Sequence, residues 1–150
     1  MRVIIQRVKH AEVNVNGEIV GSIEKGLLLF LGVVDEDTGE DIEWLCNKLN
    51  GLRVFSDDEG KMNHSIQDIE GAFLAVSQFT LHAKTKKGNR PSFIRAAKPE
   101  HAQPIYEKFK STLQAISGRP VESGIFGADM SITLENDGPV TIIIDTKNKE

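Results

Sequence analysis

One cysteine, Cys46, stands in a chain of 150 residues. That excludes an internal disulfide framework and a Cys-based metal site, and it fits a reducing compartment. No apolar run approaches the roughly 18 residues that a membrane span needs. The opening RVIIQR places its charges too close together for the apolar region of a signal peptide, so the expected location is cytoplasmic, with no membrane partner. No repeat, linker or low-complexity segment divides the sequence. The expectation is one domain over residues 1–150, with a polar tail at 146–150 that frays. The apolar share of 39% and charged share of 27% fit an ordinary globular protein.

Several catalytic signatures are missing as well. His10, His64, His82 and His101 show no metal-ligand spacing with one another or with Cys46. No Gly-x-Ser-x-Gly elbow surrounds Ser77, and no Walker-type glycine loop is present. We therefore expect no metal and no cofactor. A Ser–His–acid triad stays open, because its members need not be close in sequence.

Acid is absent from one stretch. The net charge is −4, which argues against indiscriminate nucleic-acid binding. Yet residues 82–98 carry Lys84, Lys86, Lys87, Arg90, Arg95 and Lys98 and no Asp or Glu. The remaining chain holds 12 basic against 22 acidic side chains. A positive loop on an acidic body can hold a phosphate backbone. On charge alone, a solvated lysine-rich loop is an equal reading.

Arg2 to Val8 reads as a strand, and Val13 to Val20 as a hairpin turning at Asn16-Gly17. Gly26 to Val34 is continuously apolar, as expected of a strand buried on both faces. A helix follows, with Thr38 as N-cap, Asp41 three residues on, and Ile42, Leu45, Cys46 and Leu49 on one face; Gly51 stops it. Leu52 to Phe55 is a short strand and Lys61 to Gly71 a loop. Ala72 to Phe79 is a strand. A second helix runs from Pro99 to Ser117, with a stripe of Ile105, Phe109, Leu113 and Ile116. Strands close the chain at Val121 to Phe126, Asp129 to Glu135 and Val140 to Ile144. Strands outnumber helices and do not alternate with them. The fold class is α+β, with mixed or antiparallel sheets packed together and two main helices on one side, in β/β/α layers.

Two polar stretches attract chemistry. Ser77-Gln78-Phe79-Thr80 ends a buried strand. Its polar groups either satisfy local backbone or line a pocket whose backbone N–H groups stabilise an oxyanion. Asn136-Asp137-Gly138-Pro139 reads on pattern as a hairpin turn. A Gly-Pro bond can also be cis at modest cost, turning neighbouring carbonyls in a similar direction, where they could hold an ammonium group.

The segments MRVIIQRV, GLLLFLGV, LRVF (52–55), SQFTL (77–81), GNRPSF (88–93), GIFGADM (124–130) and NDGPVT (136–141) occur in this order. Together they resemble the D-aminoacyl-tRNA deacylases of the bacterial and eukaryotic type, from Met1 to Asp145. The resemblance implies hydrolysis of the ester between a D-amino acid and tRNA. It implies a homodimer with its active site at the subunit interface. There a cis Gly138-Pro139 element enters the partner's site and screens out L-amino acids, whereas mischarged glycyl-tRNA such as Gly-tRNA(Ala) escapes the filter. Ser77, Gln78, Phe79 and Thr80 match the family's catalytic floor. Thr80 is a nucleophile candidate, but we favour backbone oxyanion stabilisation assisted by the terminal 2′-OH of tRNA. Phe126, Gly127, Ala128 and Met130 match the stretch beside the terminal adenosine. Lys84, Lys86, Lys87, Arg90 and Arg95 are the expected tRNA contacts. His82 receives no role.

Overall fold

The computed structural model describes residues 1–150. Strand β1 (Arg2–Val15) and strand β2 (Glu18–Ile23) form the expected hairpin, and both turn residues, Asn16 and Gly17, have positive φ of 51° and 83°. That is the backbone a two-residue primed turn requires. Next come β3 (Gly26–Gly32), α1 (Gly39–Gly51) and a small antiparallel pair, β4 (Phe55–Ser56) and β5 (Met62–His64). Strand β6 (Ala72–Ser77) leads into a 3-10 turn at Phe79–His82. The chain ends with α2 (Pro99–Ser117), β7 (Val121–Ser123) and β8 (Ser131–Asp145).

The main sheet has the order β2-β1-β3-β6-β7, and β8 pairs with β1. β3, β6 and β7 are mutually parallel, and the other pairings are antiparallel. The α+β class and its mixed sheet with two helices are thus as expected. The two β layers are parts of one hydrogen-bonded sheet. β1 pairs with β3 over Arg2–Val8 and with β2 over Ala11–Val15, so its path folds the sheet over itself.

Two cores result from strand alternation. Leu27, Leu29, Leu31, Phe73 and Ala75 face the helices and join a cluster of 21 buried residues with Ile42, Leu45, Cys46, Leu49, Phe109 and Leu113. Their neighbours Leu28, Leu74 and Val76 point the other way, into a cluster of 7 with Val8, Ala11, Val13 and Ile23. The α1 stripe is as expected, and its N-terminus is held by Asp41 accepting from the Thr38 N–H at 2.9 Å. Burial disfavours the Asp41 carboxylate. Hydrogen bonds from Lys147, Thr146 and the Thr38 N–H outweigh it and hold the carboxyl well below its usual range.

Several expectations need correction. The hairpin expected at Asn136–Pro139 is absent: β8 is one continuous strand, and those residues form a bulge in it. Gln6 pairs with Thr141 and Val8 with Asn136, so Arg7 alone opposes residues 137–140. The Gly138-Pro139 bond is cis. The inserted residues also change which face β8 presents. Before the bulge Ile132 and Leu134 pack on the smaller core, whereas after it Ile142 and Ile144 pack on the larger one. The buried face of α2 is centred on Ala102, Tyr106, Phe109 and Leu113, leaving Ile105 and Ile116 at its margin. β6 stops at Ser77, β7 at Ser123, and a short strand lies within the expected 61–71 loop. The tail is tied down where it begins. Thr146 is buried and accepts a hydrogen bond from the Met1 amine at 2.7 Å, while Lys147 pairs with Asp41 at 2.8 Å. No helix is long and apolar enough to cross a membrane.

Gly26 is where parallel β3 and β6 begin to pair, and a Cβ there would lie 1.9 Å from the Ala72 carbonyl oxygen. The obstacle is backbone, so no rotamer relieves the clash. Gly26→Ala is expected to cost about 3 kcal/mol or more of unfolding free energy, read as a lowered urea midpoint.

Candidate active site

The carboxyl ends of β3, β6 and β7 lie together, and beyond such ends open sheets place their ligands. Here a cleft of about 590 Å³ opens, lined by 18 residues of which 13 are hydrophobic. Ser77, Gln78 and Phe79 form one side, and Phe126, Gly127, Ala128 and Met130 another; Tyr106 and Ala102 reach in from α2. Two segments some fifty residues apart in sequence are therefore brought together in one cleft. Asp129 lines the cleft as well.

The floor is set by backbone bonding. The Gln78 N–H donates to the Leu31 carbonyl at 2.8 Å, the last rung between β3 and β6. It is therefore occupied and unavailable to a substrate, which narrows the expected set of oxyanion donors. The next N–H groups, those of Phe79 and Thr80, have no acceptor within the chain, as expected at the start of a helical turn. The Gln78 carbonyl accepts from the Leu81 N–H at 3.3 Å, closing the 3-10 turn. Gln78 Nε2 donates to Thr80 Oγ1 at 2.5 Å, and Thr80 does not line the cleft. No carboxylate or imidazole bonds the Thr80 hydroxyl. Phe79 is 57% exposed and meets Phe93 edge-on, with ring centroids 5.2 Å apart.

Two residues given no role by the sequence reading support this floor. Tyr106 is buried, and its hydroxyl donates to the Ala75 carbonyl at 2.9 Å. That carbonyl also accepts from the Gly124 N–H at 3.1 Å. Burial pushes the Tyr106 pKa up, so the group is a hydrogen-bond donor and not a base. Its ring also packs on Phe126, 5.8 Å away. Tyr106 therefore joins the strand of the floor to the opposite wall. The second residue, His82, is 5% exposed and closes the 3-10 turn from behind.

The basic segment is a separate excursion. Lys84 and Ser92 exchange two backbone hydrogen bonds of 2.8 and 3.0 Å, which close the loop between them at its stem. Lys84, Lys86, Lys87, Arg90 and Arg95 are all exposed. None of them forms an ion pair.

Gly138 and Pro139 do not line the cleft of their own chain. They lie by the opposite end of β3, where Arg7 pairs with Leu27. Arg7 is itself buried and anchors the bulge: its Nε donates to the Asp137 carbonyl at 2.9 Å, Nη1 donates to the Val54 carbonyl at 2.6 Å, and the Asp137 carboxylate is 3.3 Å away. Asn136 Nδ2 bridges the neck of the bulge, donating to the Arg7 and Val140 carbonyls at 3.1 and 3.0 Å.

Comparison with known proteins places the chain in a family and matches its fold. The chain is 56% identical over 150 residues to a D-aminoacyl-tRNA deacylase of Bacteroides fragilis, with each chain covered in full. It superimposes on a solved c-Myc DNA unwinding element binding protein with a TM-score of 0.90 at 38% identity, covering 97% of this chain and 98% of that one. A probable eukaryotic D-amino acid tRNA deacylase shares the fold, with a TM-score of 0.80 at 20% identity over 95% of this chain and 97% of that one. Residues 4–145 match the family described as D-Tyr-tRNA(Tyr) deacylase, and the chain belongs to that family.

Proposed function

We propose that this enzyme hydrolyses the ester joining a D-amino acid to the terminal ribose of tRNA. The observation that carries the reading is the unbonded Phe79 N–H at the edge of an apolar cleft in a chain of this family. An aminoacyl ester is labile, so positioning and oxyanion stabilisation suffice to accelerate its hydrolysis. One well-placed donor in a dry site supplies roughly 3–4 kcal/mol. The ester carbonyl faces the Phe79 N–H, the terminal adenosine lies along Phe126–Met130, and the terminal 2′-OH assists the attacking water. Thr80 is not the nucleophile in this scheme: its oxygen is held by the Gln78 amide, and no base contacts it. The exposed lysines and arginines of the 84–95 segment hold the tRNA backbone.

The filter for chirality works across a homodimer. In this scheme the Gly138-Pro139 bulge enters the partner's cleft and meets the α-amino group of the substrate. An L-side chain collides with the bulge, a D-side chain points outward, and glycine passes. Mischarged glycyl-tRNA such as Gly-tRNA(Ala) is accordingly a substrate. Specificity here rests on excluding one enantiomer and not on contacts to the side chain.

A second reading has its own support. The solved relative at 38% identity is named as a DNA-binding protein, and the basic loop suits a phosphate backbone. Binding of tRNA without turnover would favour it.

The decisive assay is amino-acid release from D-Tyr-tRNA and L-Tyr-tRNA in matched reactions; rapid release from the D form alone is the expected result. Thr80→Ala is expected to keep its rate within tenfold, and a loss of several orders of magnitude with intact folding would restore a threonine nucleophile. Replacing Lys86, Lys87 and Arg90 together by Gln is expected to raise KM with little change in kcat. It should also flatten the slope of log affinity against log salt by about 2. Arg7→Ala removes charged hydrogen bonds from the bulge, at a cost of about 2–3 kcal/mol in stability. It is expected to raise L-Tyr-tRNA hydrolysis far more than it changes the D-Tyr-tRNA rate, which parallel kinetics would check.

A further inference from the structure

His82 is buried to 5% exposure, and its Nε2 has no hydrogen-bond partner. Such an atom is uncommon in a folded interior and calls for an explanation. Its surroundings are specific. Nε2 lies 3.0 Å from the point that a Cβ on Gly32 would occupy, and the Gln78 carbonyl oxygen lies 3.0 Å from the same point. The imidazole and the Gln78 carbonyl thus share one small space over the glycine of β3. The Gln78 carbonyl and the Phe79 N–H belong to a single planar peptide unit. Whatever moves the oxygen turns the N–H proposed to face the ester.

The charged groups around the ring leave no room for a further positive charge. From β1 comes the Arg2 guanidinium, which donates to the Leu81 carbonyl at 2.8 Å, and from the residue before it the Met1 amine. From β8 comes Asp145, already engaged by Arg2 at 2.9 Å. From β3 comes the Gly32 backbone, which favours the protonated ring. Burial is the largest influence and lowers the His82 pKa, and Arg2 and the Met1 amine act in the same direction; the Gly32 backbone and Asp145 only partly oppose them. Neutral imidazole is the form that fits.

We propose that His82, as the uncharged imidazole, positions the Gln78–Phe79 peptide for the reaction, and that protonating it turns this peptide and lowers turnover. The protonated ring is a donor at Nε2, and the Gln78 carbonyl, already held by the Leu81 N–H, shares the space over Gly32 with it. The new bond competes for that oxygen and rotates the peptide unit. His82 touches neither substrate nor reacting atoms and is a positioning residue. The inference rests on the oxyanion role assigned above to the Phe79 N–H.

The test is the pH dependence of kcat and KM for D-Tyr-tRNA hydrolysis between pH 5 and 8.5, corrected for spontaneous ester hydrolysis. It compares the wild-type protein with His82→Phe and His82→Gln. The wild-type kcat is expected to fall up to tenfold per pH unit below a midpoint under the ordinary histidine value of about 6.5, with KM changing less than twofold. Both variants are expected to lose that acidic limb. An unchanged limb in both overturns the proposal. Should a variant fail to fold, histidine-labelled wild-type protein is followed by NMR over the same range. A His82 titration that coincides with the fall in kcat supports the proposal, and one displaced from it by a full pH unit overturns it. Thermal unfolding adds a readout of defined sign. The folded chain binds the proton less tightly than the unfolded chain, so wild-type stability should drop as pH falls from about 6.5 towards the folded pKa, and less so in His82→Phe. Wild-type protein inactive at pH 8 would overturn the deacylase reading itself, a result distinguishable from an active enzyme whose acidic limb ignores residue 82.

Discussion

Strand β1 has two edges and three partners. β8 takes one edge along almost its whole length, while β3 and β2 divide the other. β1 passes this edge from β3 to β2 between Val8 and Ala11, and its register with β8 shifts at the same place. β2 and the adjoining half of β1 lie over the face of β3 and β6 that turns away from the helices. The smaller core fills the fold, and the larger core lies under the helices. The layering of the molecule is therefore a consequence of backbone hydrogen bonding in one strand, with side-chain alternation sorting residues between the two interiors.

The cleft follows from a different rule. Parallel strands end on the same side, so β3, β6 and β7 deliver Leu31, Ser77 and the Gly124–Phe126 connection to one rim. The Gln78 N–H makes the final ladder bond, and the chain then tightens into the 3-10 turn. Free donors arise there because a ladder stops and a helical turn starts, without a dedicated side chain. Tyr106 keeps the two sides of the rim in register through the Ala75 carbonyl.

Local chemistry was legible in the sequence wherever it decides the outcome locally. Asn16-Gly17, the Thr38–Asp41 cap and the Ile42–Leu49 stripe appear as read, since each depends on residues within a turn or two. SQFT was recognisable as the end of a strand for the same reason. The Asp137-Gly138 pair misled, because the residues that suit a hairpin turn also suit a bulge. Only the pairing of β1 across more than a hundred residues separates the two outcomes. The α2 stripe was displaced because Tyr106 is polar by type but buried through its bond to a β6 carbonyl, which no helical pattern shows. His82 went unread because its burial depends on the missing Cβ of Gly32, fifty residues earlier.

The two hydrogen bonds between Lys84 and Ser92 have an evolutionary consequence. They insulate the loop from the scaffold, since the residues between them contribute nothing to either core. Insertions, deletions and charge changes within the loop can accumulate without a stability penalty. Sequence change within the loop can therefore proceed independently of the cleft, and one scaffold can carry loops of different length and charge while the rim of the parallel strands stays intact.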